Sequence, residues 1–315
     1  MTCVVTGSTG FVGQALITRL ADEAQPVRPI VRRATDAASA TSMVVESPWT
    51  NADWGDALKG ARAVVHLAAR VHVMKERTDN PLMAFRATNT HITLELARHA
   101  ADAKVRRFVF VSSIKVNGEH TAAGKSFRAS DAPCPEDNYG ISKREAEDGL
   151  REIAAATGME VVIVRPPLVY GPGVKANFAA LMNAVKRGLP LPLGSVTENR
   201  RSLVALDNLV DLLITCIDHP AAANQTFLVS DDEDLSTADL LRRLGDAMGR
   251  PARLLPMPPA LLRAGAALLG KSDMAERLLG NLQVDITHTK QTLGWTPPIT
   301  VDEGLRRAAA GMRVR

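Results

Sequence analysis

The sequence predicts a doubly wound α/β protein: a parallel sheet with crossover helices, followed by a smaller mixed α/β region. Three observations carry this. Short apolar runs alternate with stretches of helical periodicity through the first half of the chain. Residues 63–68 and 108–112 are almost wholly apolar, as strands buried on both faces are. After Gly171 the texture changes, with prolines at 190, 192, 256, 258, 259, 297 and 298 and shorter, less regular elements.

Taken in order, residues 2–6 form a strand that ends at Gly7. A helix follows over 11–24, with Phe11, Ala15, Ile17, Leu20 and Ala24 in helical spacing. Strands are expected at 26–32, 63–68 and 108–112, and a long helix at 81–103. A second long helix, 139–156, is closed by Thr157-Gly158, because glycine accepts the left-handed stop. A strand at 160–165 ends at Pro166-Pro167. Later come helices at 178–187, 208–218, 237–248 and 259–269, and a strand at 226–230. The alanine-rich stretch 34–40 reads as a loop.

Composition narrows the function. Of 315 residues, 46% are hydrophobic and 23% charged, which excludes a disordered, collagenous or coiled-coil chain. No apolar run reaches the roughly 18 residues of a membrane span. The best, 260–270, is short and carries Arg263. Met1-Thr2-Cys3 leads directly into the first strand with no basic, cleavable leader, so a cytoplasmic protein without a membrane partner is expected. Cys3, Cys134 and Cys216 have no metal-ligand spacing, so neither a metal site nor a disulfide framework is expected. The net charge of +4 comes from scattered single and paired cations, and aromatics are 4%, so nucleic acid is not the expected partner.

The first chemical motif is Thr6-Gly7-Ser8-Thr9-Gly10-Phe11-Val12-Gly13, placed after a strand and at the start of a helix. Gly7 permits the sharp turn, Gly10 lets the backbone approach a pyrophosphate, and Gly13 lets helix and sheet pack closely. Amides of the helix start then face phosphate. The expected fold is therefore Rossmann-like. Val31-Arg32-Arg33 closes the second strand, with no acid before Asp36. Arginines tolerate a 2′-phosphate, which favours NADP(H) over NAD(H). Asp36 serves a ribose 2′-hydroxyl only if the loop is one turn longer, and Arg32 and Arg33 otherwise only solubilise the surface.

The second motif is Tyr139-Gly140-Ile141-Ser142-Lys143. Tyr139 and Lys143 lie on one helix face at i and i+4. A lysine ammonium lowers the phenol pKa, so tyrosine can shuttle a proton near neutrality. Ser112-Ser113 ends the buried strand before it.

The glycine spacing together with these motifs resembles the extended short-chain dehydrogenase/reductase family, in its NAD-dependent epimerase/dehydratase, nucleotide-sugar branch. The resemblance covers nearly the whole chain. It implies catalytic roles for Ser113, which orients the reacting oxygen, and for Tyr139 and Lys143. It adds Ser112, Leu67, Ala68, Ala69, Asn89, Pro166 and Leu168 to the cofactor site formed by Gly7, Thr9, Gly10, Phe11, Val12, Gly13, Arg32, Arg33, Tyr139 and Lys143. His66 is read as structural and Asn89 as a brace for the active-site helix. On the substrate side it implies Asn177, Phe178, Arg201 and Arg277 at a nucleotide diphosphate, and Leu191 and Leu193 on a strand lining a uracil pocket. Lys115 and Asn117 depart from the family pattern, the latter standing for an aromatic residue. Lys115 either contacts a substrate oxygen or phosphate or is a solvated loop lysine.

The resemblance further implies a cofactor-binding domain over 1–172 and a nucleotide-sugar region over 173–315, some late segments of which pack back on the first. It implies a homodimer built from helices 81–103 and 139–156. The expected activity is NAD(P)H-dependent reduction of a UDP-4-keto-6-deoxy-N-acetylhexosamine at C4, in surface-polysaccharide (lipopolysaccharide O-antigen) precursor synthesis. The alternative is 4-epimerisation of a UDP-hexose with tightly bound NAD, and a more distant one is a non-catalytic dinucleotide sensor.

Overall fold

The computed structural model describes residues 2–33, 42–45, 54–71 and 80–312. Asp36 and the expected loop 34–40 lie outside them. Seven parallel strands form the large sheet: β1 (Thr2–Thr6), β2 (Val27–Val31), β3 (Met43–Val44), β4 (Ala61–His66), β5 (Arg107–Val111), β6 (Glu160–Arg165) and, after the short β7 (Leu168–Tyr170) and β8 (Arg201–Ala205), β9 (Thr226–Leu228). Their order is β3-β2-β1-β4-β5-β6-β9. The order reverses between β1 and β4, and in such sheets ligands bind at the carboxyl ends of the strands beside that point. With β10 (Asp234–Leu235), strands β7 and β8 make a second sheet of order β10-β8-β7.

The strands are valine-rich because both faces are covered. Along β1, Cys3 and Val5 enter one core, with Leu16 and Leu20 of the helix Phe11–Asp22 and Leu209 and Leu213 of the helix Leu206–Asp218. Val4 enters the other, with Leu96 of Ile92–Asp102 and Ala146 and Leu150 of Asn138–Thr157. A third core lies by the small sheet, around Tyr170, Phe178, Leu241 and Leu305. The early strands and the second long helix stand close to where the sequence placed them, and Gly158 stops that helix at φ +75°.

Several elements differ from expectation. The helix expected over 81–103 is interrupted by a π-helical turn, Arg86–His91, between Pro81–Phe85 and Ile92–Asp102. Strands β7 and β8 and the helices Ser272–Leu279 and Val301–Gly311 were not anticipated: the strands are short, while both helices carry a clear apolar stripe that the reading of the sequence passed over. Leu191 and Leu193 do not lie on a strand. Leu191 makes one isolated bridge to Leu254, and the prolines on either side of it remove donors that a ladder needs.

Candidate active site

The glycine loop is set by steric exclusion. Gly7 has φ +67°, and a Cβ there would stand 2.6 Å from the Ala68 nitrogen. A Cβ on Gly13 would lie 2.2 Å from the Gly7 carbonyl oxygen. These contacts bind the loop between Leu67-Ala68 and its own helix. Ser8 Oγ donates to the Ile30 carbonyl at 2.7 Å, which ties the loop to β2. Gly10 is the N-cap and has no side chain to satisfy the first-turn amides around Phe11 and Val12. That uncapped turn, at the switch point, fits a dinucleotide pyrophosphate. Thr9 is exposed, and so are Arg32 and Arg33 at the end of β2. Thr9 and Phe11 also open onto a groove of about 690 Å³ between the first helix and Leu206–Asp218.

At the end of β5 one helical stripe meets one strand end. Tyr139, Lys143 and Glu147 follow at i, i+4 and i+8 on Asn138–Thr157. Lys143 Nζ donates to the Val111 carbonyl at 2.8 Å and lies 4.3 Å from the centre of the Phe110 ring. Ser112 Oγ donates to Glu147 Oε1 at 2.6 Å. Ser113, extended at φ −156°, caps a short 3₁₀ turn, its Oγ accepting from the Lys115 N–H at 3.3 Å. The helix start presses on this turn: a Cβ on Gly140 would meet the Lys115 carbonyl at 2.8 Å.

The electrostatics depart from the sequence reading. Burial brings the Lys143 ammonium down to about 7, with Glu147 opposing the shift. Burial, then the Asp137 charge, pushes the Tyr139 phenol above its usual value. Lys143 therefore does not lower the phenol in this state, because its ammonium is turned to the Val111 carbonyl and the Phe110 face. The resting phenol keeps its proton.

Lys115, partly exposed, is paired with two carboxylates. Its Nζ lies 2.8 Å from Glu119 Oε1 and 2.6 Å from Asp137 Oδ2. Asp137 is in turn the helix N-cap, accepting from the Gly140 N–H at 2.6 Å. Burial opposes ionisation of Asp137, but bonds from Lys115 and Gly140 hold its carboxyl below the usual range.

Asn89, fully buried in the π-helical turn, donates to the Arg70 carbonyl and to Ser142 Oγ, both at 3.0 Å, and accepts from the Arg70 N–H at 2.7 Å. It thus joins the segment after β4 to the residue beside Lys143. π-helical turns are common where a functional side chain must be re-aimed. His66 is also fully buried. Thr93 Oγ1 spends its proton on the Asn89 carbonyl, so it accepts from His66 Nε2 at 2.9 Å. His66 Nδ1 then accepts from Thr6 at 2.7 Å, and the ring is neutral. Burial first, then Lys143, lowers its pKa to about 3.

A buried network passed unnoticed in the sequence. Glu147 accepts from Arg165 Nε at 2.9 Å and Nη2 at 2.5 Å, and Arg165 Nη1 donates to Asn117 Oδ1 at 2.9 Å. All three residues are buried. The readable signal was the glutamate spaced four from Lys143 on its own face. Asn117, read only as a departure, is the end of this chain of bonds.

On the other side of the cleft, Leu168 is exposed and the Pro166 carbonyl accepts from the Ile114 N–H at 3.0 Å. Asn177 is exposed at the start of Ala176–Lys186, while the Phe178 ring is buried and stacked on Tyr170 at 5.3 Å. Its side chain therefore serves the core and leaves only backbone for a ligand. Leu193 is also buried, and the Leu191 amide and carbonyl are engaged by Arg253 and Leu255. Arg201 begins β8 and bonds the Gly280 carbonyl at 3.3 Å. Burial lowers its pKa, Glu276 opposes this, and Arg277 lowers it further. The two arginines expected at a diphosphate are thus close enough to repel.

A glycine cradle at a switch point, with a hydroxyl–phenol–ammonium set at the next strand end, is the plan of the Rossmann-type dinucleotide-dependent oxidoreductases. The comparisons are narrower. The chain belongs to the NAD dependent epimerase/dehydratase family, whose sequence profile matches residues 3–230. A Vibrio cholerae protein described as UDP-glucose 4-epimerase is 50% identical over 307 residues, covering 97% of this chain and 94% of that one. The fold is shared with UDP-N-acetylglucosamine 4-epimerase from Bacillus cereus, at TM-score 0.81, 18% identity and 99% coverage of both chains. It is shared also with the Bacillus cereus UDP-glucuronic acid 4-epimerase in complex with NAD, at TM-score 0.79 and 18% identity, covering 99% of this chain and 96% of that one.

Proposed function

We propose that the protein is a nucleotide-sugar 4-epimerase that acts on a UDP-hexose with retained NAD. The observation that carries this reading is the 50% identity to a UDP-glucose 4-epimerase along nearly the whole chain. It shifts the balance from net reduction, the activity first expected from the sequence, to epimerisation. The presence of Ser113, Tyr139 and Lys143 around one strand end supports catalysis over dinucleotide sensing.

When bound, the dinucleotide supplies the hydride acceptor and donor. As a phenolate, which a charged Lys143 would favour once turned to it, Tyr139 would remove the C4 hydroxyl proton in the oxidation and return it in the reduction. Ser113 orients the C4 oxygen with a hydrogen bond. Lys143 holds the cofactor ribose and, when charged, favours the phenolate. Gly7, Gly10 and Gly13 with the uncapped helix start hold the pyrophosphate, and Arg201 and Arg277 meet the UDP diphosphate.

A second reading, NADPH-dependent 4-reduction, has support from Arg32 and Arg33, exposed at the end of β2 and able to meet a 2′-phosphate. One experiment separates the two. Purified protein is assayed for bound dinucleotide and incubated with UDP-glucose and UDP-N-acetylglucosamine, with the C4 configuration read by NMR. Epimerisation without added cofactor, lost in Tyr139→Phe, is expected. No epimer, together with oxidation of NADPH by a UDP-4-keto-6-deoxy sugar, overturns the epimerase reading.

A further inference from the structure

The helix Pro259–Leu268 buries no residue fully. Leu262 and Ala266 lean on the third core. The opposite stripe, Leu261, Ala264 and Leu268 at i, i+3 and i+7, faces outward and is exposed, Leu261 by 61% and Leu268 by 89%. Leu269 follows at 72% exposed, and Met257 and Met274 are also exposed. Such an outward apolar stripe is contrary to the usual amphipathic arrangement, in which the outer face is polar.

The charge around it is mostly cationic: the segment itself carries no acid, while the helix packed against it, Ser272–Leu279, adds Asp273, Glu276 and Arg277. Residues 250–271 hold Arg250, Arg253, Arg263 and Lys271 and no aspartate or glutamate, the nearest acids being Asp246 and Asp273. Arg250 and Arg253 are turned to the Lys186 and Gly188 carbonyls, while Arg263 and Lys271 are exposed beside the stripe. Their sum equals the net charge of the whole chain, +4. A polar partner would leave the leucines unburied, and a second copy packed face to face by twofold symmetry would set four cations against four.

We infer that this segment docks on a bilayer surface rich in anionic headgroups, with Leu261, Leu268 and Leu269 in the acyl boundary and Arg263 and Lys271 at the phosphates. An apolar stripe flanked by cations is what such a surface selects. No helix among the described residues is long and apolar enough to cross a membrane, and a surface contact requires none. The segment adjoins the expected substrate side, since Leu254 bridges Leu191. The inference is independent of the epimerase reading.

The test is co-sedimentation of the full chain with vesicles of phosphatidylcholine alone and of phosphatidylcholine with one quarter phosphatidylglycerol, at low and physiological salt. Binding to the anionic vesicles only, weakened by salt, is expected. Leu261→Ser and Leu268→Ser should each weaken it about tenfold, and Arg263→Gln and Lys271→Gln about fivefold each. These side chains are exposed, so melting temperature should not move, which separates docking from misfolding. No binding to the anionic vesicles, equal binding to both kinds, or unchanged binding in Leu268→Ser overturns the inference. So does a solution oligomer that Leu268→Ser disperses, because a second copy would then be the occupant.

Discussion

Glu147→Gln tests whether the buried network beneath the catalytic strand end is dry and ionic. The substitution keeps the shape and removes one charge. Wild-type Glu147 is fully buried and takes bonds from Ser112 and Arg165, with a further one at 3.0 Å from the half-exposed Arg151. Arg165 is 2% exposed, so its cation would be left without an anion where water cannot replace it. Breaking such a pair costs about 3–5 kcal/mol, against a typical total of about 5–15 kcal/mol. At about 1.5 °C per kcal/mol for a chain of this length, the melting temperature should fall by about 5–8 °C. Urea unfolding followed by circular dichroism measures the free energy, and Glu147→Leu combined with Arg165→Met should recover most of it by removing both charges. Glu147 also opposes the burial shift of Lys143, so the variant's Lys143 should fall below its starting value of about 7. Activity at pH 7 should then drop and partly return at lower pH, where the ammonium is restored. A loss below about 1 kcal/mol with an unmoved pH profile would refute the ionic reading of the network.

Other predictions are more local. Gly13→Ala places a methyl 2.2 Å from the Gly7 carbonyl oxygen, so dinucleotide binding measured by calorimetry should be lost or severely weakened, while Gly265→Ala, with open space around it and an ordinary backbone angle, should retain binding. His66 has its pKa lowered to about 3 by burial, so the unfolded state binds the extra proton between about pH 6.5 and 3. Its contribution is present above pH 6.5 and is lost as the pH falls to about 3, and His66→Gln should flatten that acid limb in urea titrations. Asn89→Ala leaves Ser142 and the Arg70 backbone short of partners and should cost about 1–3 kcal/mol, with an accompanying loss of turnover at unchanged secondary structure.

The large sheet was readable because its strands are buried on both faces, so the runs around Val64 and Val109 are mostly apolar, with His66 and Arg107 the buried exceptions. The glycine loop was readable because Gly7 and Gly13 admit no Cβ. Tyr139 and Lys143 could be read from their i, i+4 spacing together with the glycine loop and the Ser112-Ser113 strand end before them. The small sheet was harder: Leu168–Tyr170 and Asp234–Leu235 are too short to show a period. Long-range polar partnerships were not legible, although Glu119 stands four residues from Lys115 and Glu147 four from Lys143. Lys115 meets Asp137 across 22 positions, and Arg165 meets Asn117 across 48. Nothing local distinguishes such residues from solvated ones, since only the folded chain brings them together. The same holds for Phe178, whose helical context gives no sign that its ring stacks on Tyr170.

The place of β9 has a consequence for how the chain is made. Its register partners on β6 are Ile163 to Arg165, about 60 residues earlier in the sequence. At about 5–20 residues per second, a ribosome needs roughly 3–12 s to deliver β9 after β6 emerges. Through that interval the outer edge of β6 is an unpaired strand of sequence EVVIVR, the kind of edge that recruits other chains. Vectorial synthesis therefore leaves the cofactor sheet open until the substrate-side residues have been translated. A fragment ending at Pro172 keeps that edge for good, and aggregation of the fragment beside a soluble full chain is the expected outcome on expression.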